Sequence, residues 1–474
     1  MSIRPATHHA CVLLLLFTVG ATLSAQVPTG TALRWAPDPA YLPFAGRTLN
    51  WDDRVKLSFI ASGVAQDRIA TYENRLRSVL AQARAATAGL TPAETADQLL
   101  QFLHRGTFRA YNFYQTRIDV LLDTGVFNCV SSAVVYNLLA EALGLSTGAV
   151  STPDHAFSTV RIGNRLFDVE TTTPLGFDPG TRREFHNAFG TLTGFAYVPP
   201  GNYAQRTTID DRQLIGLIIQ NRMTEDQRRG DSTKPVALAW DLSALEGMPA
   251  AKRLLYRSYS NYLVGMNNAR EYAQGLAVIQ RLEATVGRNA QTDTLAATFA
   301  QNLIIEHMSA ADYPGARAAV KEWAVRTDRS AAQWLSLILK SESEAIYRTK
   351  GWAATLSWLD RQRDVPESEL AAVRLSVALQ EAQQRMQGGN WEAGYQFLKS
   401  LPAGMQAQPE FVKMQEVLVY NLSVGYHNRF ADFMNQGRIT DGAAVLKDGL
   451  TRFPDSRMLK QDQAQLDRYL QTHH

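Results

Sequence analysis

Residues 129–171 carry a helix pattern followed directly by a hairpin pattern, and this succession commits that part of the chain to a mixed α+β fold. Apolar residues recur at spacings of three and four from Cys129 to Gly144, which is the period of one helix face. They are Val130, Val134, Val135, Leu138, Leu139 and Leu143. Glycine directly after the last apolar residue is typical of a helix end. The spacing therefore predicts an amphipathic helix that begins at Cys129.

The hairpin is predicted from a short turn between two strand-like segments. Residues 156–162 alternate apolar side chains with small and polar ones, and residues 165–171 are expected to form the return strand. Between them, Gly163-Asn164 is a pair that favours a two-residue hairpin turn.

The register of this hairpin decides which acid lies near His155. If Ile162 pairs with Arg165, Glu170 is the diagonal cross-strand neighbour of His155, about 7 to 8 Å away between backbone positions, which side chains can close to a hydrogen bond. Asp168 lies roughly 13 Å from His155, at about 3.3 Å per residue. Glu170 is therefore the predicted partner of His155. A three-residue loop would shift the register, so Asp168 is kept as the reserve candidate.

An export signal is predicted at the N-terminus, and it determines how the two cysteines are interpreted. Arg4 precedes an apolar run over residues 11–21, and small residues at Ser24 and Ala25 suit cleavage, so residues 1–25 read as a signal peptide. Cys11 leaves with that peptide. No later stretch approaches the roughly 20 apolar residues of a membrane span. The expected mature protein is periplasmic or secreted, with a linker over residues 26–49.

Cys129 is then the single cysteine of the expected mature chain, with no partner for an internal disulfide. A buried cysteine that acts as a small hydrophobic residue is the plain interpretation. The predicted helix start favours another, because unpaired N–H groups and the positive end of the helix dipole stabilise a thiolate. Cys129 is therefore a candidate nucleophile.

Three short motifs around the candidate residues follow one another in the chain: Phe127-Asn128-Cys129, His155-Ala156-Phe157 and Glu170-Thr171-Thr172. They resemble the transglutaminase-like superfamily of papain-fold cysteine enzymes, in which a Cys opens a helix, a His followed by Ala and an aromatic residue lies on a strand, and an acid followed closely by Thr lies on the next strand. The family usually carries Asp as the third member, so a Glu there needs a slightly different strand spacing.

The resemblance covers about residues 50–200 and implies an α+β papain-like, transglutaminase-like domain. It implies that Cys129 is the nucleophile, His155 the general base and Glu170 the orienting acid. A thiolate attacks a carbonyl carbon, and the thioester that forms passes to water or to an amine, which gives hydrolysis, as in a cysteine protease, or transglutamination. The alternative is a degenerate, non-catalytic domain that serves as a protein-binding scaffold.

Pro199-Pro200-Gly201 is typical of a break between two domains. After it, residues 205–474 are predicted to form an all-α helical repeat domain. An aromatic or aliphatic residue, a small residue three later and an aliphatic residue seven later recur about 40 residues apart. The five sets are Tyr272/Gly275/Ile279, Tyr313/Ala316/Val320, Trp352/Thr355/Leu359, Trp391/Gly394/Leu398 and Ile439/Gly442/Leu446. Such a regular array suggests stacked helix pairs.

The last of these sets resembles the second helix of a tetratricopeptide repeat (TPR), although Phe430 is bulky where that family prefers a small residue. The resemblance implies a groove that recruits a protein or peptide partner; the alternative is that these helices only support the catalytic domain. With 48 basic and 45 acidic residues, the chain lacks the positive field that nucleic-acid binding requires. No phosphate-binding glycine loop or metal-binding histidine spacing is present, so neither a cofactor nor a metal is expected.

Overall fold

The computed structural model describes residues 33–181, 206–363 and 365–472. The predicted signal peptide, the first part of the predicted linker and the Pro199-Pro200-Gly201 break lie outside these ranges. The protein is mostly helical, about 72%, with a small sheet region, which is compatible with a helical repeat domain. Its contacts divide the chain into two compact units, one up to Leu295 and one from Ala296 onward. In the described ranges, no helix is both long and apolar enough to cross a membrane.

Helices make up most of the first unit: α1 (Trp51–Ala61), α2 (Ile69–Ala86), α3 (Pro92–Gly106), α4 (Ile118–Thr124), α5 (Cys129–Ala142), α6 (Asp211–Arg228), α7 (Lys234–Glu246), α8 (Met248–Asn268) and α9 (Tyr272–Val286). Several begin where a polar side chain caps the first turn. In α1 the Asn50 side chain accepts from the Asp53 N–H while the Asp53 carboxylate accepts from the Asn50 N–H. Thr91 and Glu94 cap α3 in the same reciprocal way.

The described strands of the first unit form two small sheets. The strands β1 (Ala110–Tyr111) and β2 (Val126–Phe127) pair in parallel. The strands β3 (Ser146–Ser151), β4 (Ala156–Ile162), β5 (Arg165–Val169) and β6 (Thr207–Ile209) form an antiparallel sheet in the order β5-β4-β3-β6. The last of these strands therefore joins the sheet beside β3.

The predicted hairpin register is confirmed. Ile162 pairs with Arg165, and Thr159 pairs with Asp168. Gly163 takes a φ of +55°, the positive value that a glycine supplies at the first position of a two-residue turn. The return strand ends at Val169, two residues earlier than predicted, because the Glu170 N–H donates instead to the Gly176 carbonyl.

Helix α5 begins at Cys129 as predicted, but it is buried on every side and not on one face only. The sheet strands β3 and β4 cover one side, and α1, α3 and α6 pack around the rest. The buried Tyr136 hydroxyl donates to the Ala96 carbonyl of α3, 3.0 Å away. The small and polar residues of α5 therefore meet neighbouring elements and not solvent.

The compact unit around α5 extends beyond the range of 50–200 predicted for it. Helices α6 and α7 follow the predicted boundary, yet their buried side chains belong to the same apolar core as those of α5. The predicted linker also contributes, because Tyr41 and Phe44 are buried in that core. Helix α6 packs directly on α5, whereas α7 packs on α6, and the segment with Tyr41 and Phe44 packs on α1 and α7.

Helix α10 (Ala290–Ser309) contains the division point, and the second unit continues with α11 (Tyr313–Trp323), α12 (Ala331–Leu359), α13 (Glu367–Arg385), α14 (Trp391–Ser400), α15 (Ala403–Gln406), α16 (Pro409–Asn435), α17 (Ile439–Arg452) and α18 (Arg457–Thr472). Helix α12 is broken at Gly351, whose φ is +75°. The predicted sets therefore open helices: Tyr313, Trp391 and Ile439 are first residues, and Trp352 follows the break.

Candidate functional site

Cys129 is the first residue of α5, and the residue before it shapes that helix start. The Asn128 side-chain oxygen accepts from the Val130 and Ser131 N–H groups at 3.1 and 3.0 Å. The Asn128 N–H donates in return to the Ser131 hydroxyl at 2.9 Å. Because the first turn is satisfied in this way, the position of Cys129 is set by backbone geometry. Its side chain is buried at the edge of the core.

His155 and Glu170, which lie before β4 and after β5, are brought together as the register predicted. Their atoms Nε2 and Oε2 are 2.6 Å apart, and both side chains are buried. The other carboxylate oxygen of Glu170 accepts from the N–H and the hydroxyl of Thr172, at 3.1 and 2.7 Å. Both oxygens of the carboxylate are therefore occupied, and the imidazole ring is oriented from one side.

A tight backbone approach supports Glu170. Gly176 lies so close to it that a Cβ added at Gly176 would fall 1.9 Å from the Glu170 carbonyl oxygen. A residue larger than glycine therefore does not fit at position 176 without a shift of the backbone. No sequence pattern pointed to Gly176, and only the chain reversal after β5 shows why a glycine is required there.

Asp168, the reserve candidate, is not brought to His155. Its carboxylate pairs with the Arg206 guanidinium, with one N–O distance of 3.0 Å and a second, shorter contact. That guanidinium also lies over the Phe157 ring, 4.8 Å from its centroid. Asp168 thus joins the hairpin to the residue that precedes β6.

The charge on His155 follows from its surroundings. Burial by itself lowers the pKa of His155, whereas the Glu170 charge and side-chain hydrogen bonds to Cys129 and Glu170 raise it, so that the pKa lies well above its ordinary value. Glu170 contacts Nε2, and Cys129 is the other neighbour that raises the pKa of the ring. The imidazole thus stands between the thiol and the carboxylate, and both favour its charged form.

Thr171 ties the elements of the site together. Its hydroxyl lies 2.7 Å from the Ser132 hydroxyl in the first turn of α5. Its carbonyl oxygen lies 3.1 Å from His104 Nε2. Burial lowers the pKa of His104 to about 4, so this imidazole is neutral and serves as a packing and hydrogen-bonding group. These bonds fix the distance between the start of α5 and the acid that follows β5.

Tyr111 is a member of the site that the sequence motifs did not indicate. It lies on β1 and pairs with Phe127, two residues before Cys129. Burial raises the pKa of Tyr111, and the neighbouring Cys129 and Glu170 charges raise it further. The hydroxyl therefore stays protonated beside the sulfur. Only the pairing of β1 with β2 brings it there.

A cleft of about 300 Å³ opens beside Cys129 and His155. One wall is the loop that contains Phe113 and Tyr114. The cleft is also lined by residues of α6, a helix predicted to belong to the repeat domain: Leu217, Gln220, Asn221, Thr224 and Glu225. No sequence signal connected α6 with Cys129, because the two are joined only through packing.

Comparison with known proteins adds no assignment: no protein-family model and no curated protein matches the chain. Within the part of the chain that the structure describes, no group of three or more His, Cys, Asp or Glu side chains is placed to hold a metal ion. The arrangement of Cys129, His155 and Glu170 therefore carries the chemical interpretation.

Proposed function

We propose that this protein is a cysteine-dependent acyl-transfer enzyme that hydrolyses amide or peptide bonds, or transfers the acyl group to an amine, through a thioester. The observation that carries the proposal is one imidazole held between a thiol at a helix start and a buried carboxylate. The α+β unit around it would be a papain-like, transglutaminase-like domain. The third member of the Cys-His-acid set is Glu170, whose side chain is longer than that of the usual Asp and suits a position just beyond the end of β5.

The chemistry begins at the Cys129 sulfur. The thiolate forms a C–S bond with the carbonyl carbon of the substrate, and the carbonyl electron pair moves onto oxygen. When the tetrahedral intermediate collapses, the C–N bond breaks, and the His155 imidazolium gives its proton to the leaving amine. Neutral His155 then takes a proton from water or from an acceptor amine, which attacks the thioester and releases the thiolate.

Two donors are available for the negative oxygen of the intermediate. The Cys129 N–H lies in the first helical turn, where backbone N–H groups have no intrahelical acceptor. Its neighbours Val130 and Ser131 already donate to Asn128. The Tyr111 hydroxyl is the second donor, since it is protonated and lies beside the sulfur. A donor pair that is in place before the substrate arrives costs no reorganisation in the transition state.

Two further parts belong to the proposal. The second unit would recruit or orient a protein or peptide partner, which is the usual role of stacked helix pairs. The N-terminal 25 residues would direct export to the periplasm or the exterior. N-terminal sequencing of the protein recovered from the cellular, periplasmic and extracellular fractions tests this.

The decisive experiment measures the reactivity of Cys129 and looks for the thioester. The full chain is treated with iodoacetamide between pH 5 and 9, and, separately, with an activated peptide ester, followed by intact-mass measurement. A histidine-paired thiolate reacts at pH 6 far faster than an ordinary thiol, and the ester should leave an acyl adduct that maps to Cys129. Labelling that is as slow as that of a buried thiol, with no adduct, would leave the non-catalytic scaffold as the function.

A further inference from the structure

Two large aromatic side chains are exposed at the mouth of the cleft beside Cys129. Phe113 and Tyr114 lie in the loop between β1 and α4, with 47% and 55% of their surfaces exposed. Their rings meet edge to face, with centroids 5.3 Å apart. We call this pair the aromatic shelf. Apolar surface of this size next to a reactive group marks a binding surface more often than a chance exposure.

The loop that carries the aromatic shelf is held by hydrogen bonds. The Asn112 N–H donates to the Phe127 carbonyl at 2.8 Å, and the Asn112 side chain accepts from the Tyr114 N–H at 3.0 Å. The Gln115 amide donates to the Val126 carbonyl at 2.6 Å. A loop held by three hydrogen bonds loses little conformational freedom when a ligand binds.

Asn128 connects the aromatic shelf to the nucleophile. Its side-chain oxygen caps the helix that Cys129 begins, and its side-chain nitrogen donates to the Phe113 carbonyl at 3.1 Å. One amide group thus bonds both the first turn of the helix that Cys129 begins and the backbone of Phe113. The spacing between them is a built feature of the site, since it depends on a residue that is itself buried.

The second ring is fixed from its other side. The Arg228 guanidinium lies over the Tyr114 ring, 4.6 Å from the centroid. Two of its nitrogens donate to the Glu225 carboxylate, each at 2.9 Å. This cation–π contact holds the phenol ring in place. The same helix, α6, lines the cleft with Leu217, Gln220 and Thr224, which supply an apolar side chain, an amide and a hydroxyl group.

We propose that the aromatic shelf is the subsite for a bulky apolar side chain of a peptide substrate, next to the carbonyl group that Cys129 attacks. The inference rests on the proposed function and adds the substrate class to it. A phenyl or isobutyl group placed against Phe113 and Tyr114 is removed from water, while the Gln220 amide and Thr224 hydroxyl, which line the same cleft, can bond the peptide backbone.

The test measures peptide binding without chemistry. In the full chain carrying Cys129→Ala, fluorescence anisotropy compares labelled hexapeptides of Gly and Ser whose central residue is Phe, Leu, Ser or Asp. We expect the Phe and Leu peptides to bind about tenfold more tightly than the Ser peptide, as burial of one such side chain allows. Phe113→Ala and Tyr114→Ala should each reduce this preference to about twofold, whereas Tyr114→Phe should retain it.

Leu166→Ala is the matched control, because Leu166 is a comparably exposed apolar residue, at 49%, that lies on β5 and is not among the residues lining the cleft. It should leave the preference unchanged. Equal affinity for the Phe and Ser peptides, or a preference that survives both alanine variants of the aromatic shelf, would overturn the proposal. Its failure is distinct from failure of the proposed function, since the latter is read from iodoacetamide labelling of the unmodified chain.

Discussion

The cores of the two compact units are built in different ways. In the first unit one apolar core joins residues far apart in the chain, from Tyr41 to Val286. In the described part of the second unit, buried side chains form separate clusters drawn from successive stretches: residues 304–338, 339–377, 378–418 and 426–466. Each stretch is about as long as the 40-residue spacing of the predicted sets.

This difference shows what each unit is suited to do. A core closed by distant segments holds side chains from different elements at set distances, which the candidate site requires. A series of local clusters behaves as a row of similar modules, in which a change at one place is felt mainly by its neighbours. A substitution in the core of the first unit should therefore disturb the whole candidate site, whereas one in the second unit should disturb only the neighbouring clusters.

The largest expected effect is at Cys129, the proposed nucleophile. Cys129→Ala should reduce turnover of an activated ester roughly 1,000-fold or more, because no other group can form the thioester. The fold should remain, since only one buried sulfur is lost at the edge of the core, and the circular dichroism spectrum and the Tm report this. Unchanged ester turnover in the variant would show that Cys129 is not the nucleophile.

The second comparison is between the two acids of the hairpin. Glu170→Gln should lower kcat/KM about 100-fold, because the charge that orients and stabilises the imidazolium is lost while the side-chain shape is kept. Asp168→Asn is the matched variant, and it should change kcat/KM less than threefold and lower the Tm instead, since Asp168 bonds Arg206. A larger activity loss in Asp168→Asn would contradict the assignment of Glu170.

The pH profile sharpens the same point. The pKa of His155 is raised in the folded protein, so its imidazolium, and the activity that needs it, is lost only as pH rises through that raised pKa. In Glu170→Gln burial dominates, and the alkaline limb of kcat/KM should move to lower pH. The His155 contribution to the free energy of unfolding should likewise be complete below pH 6.5 and decline above it. An unmoved alkaline limb would mean that Glu170 does not set this charge.

A smaller effect is expected from the turn behind Glu170. Gly176→Ala should destabilise the protein by about 1 to 3 kcal/mol, because the added methyl group displaces the backbone that positions Glu170. Activity should fall with it, by about tenfold. Gly180→Ala serves as the control, since a Cβ there meets nothing within 4 Å. Urea unfolding and kcat/KM of both variants provide the measurements, and equal behaviour would contradict the close approach.

The smallest effect on activity is expected in the second unit. Ala316→Leu overpacks the cluster of residues 304–338 and should destabilise that segment by about 1 to 3 kcal/mol, seen as faster hydrogen exchange there. Ala332→Leu, on an exposed alanine of α12, should have little effect. Iodoacetamide labelling of Cys129 should be the same in both variants. A change in that labelling would show that the two units are coupled.

The local features of this protein are determined by its sequence. The start of α5 at Cys129, the pairing of Ile162 with Arg165 and the helix starts at Tyr313 and Trp391 all follow from residues within one or two turns of each other. The approach of Glu170 to His155 belongs here too, because a two-residue turn sets which side chains are diagonal neighbours. Short-range geometry leaves few alternatives at these places.

Tertiary structure decided the rest. The partner of Asp168, the reserve candidate, is Arg206, which lies 38 residues later in the chain, and neither Tyr111 nor α6 carried a signal that pointed to Cys129. The extent of the first unit was also decided by tertiary structure, since α6 packs on α5, a helix that lies about 80 residues earlier in the chain. Such contacts depend on which apolar surfaces are left uncovered once the whole chain has collapsed, and no local pattern records that.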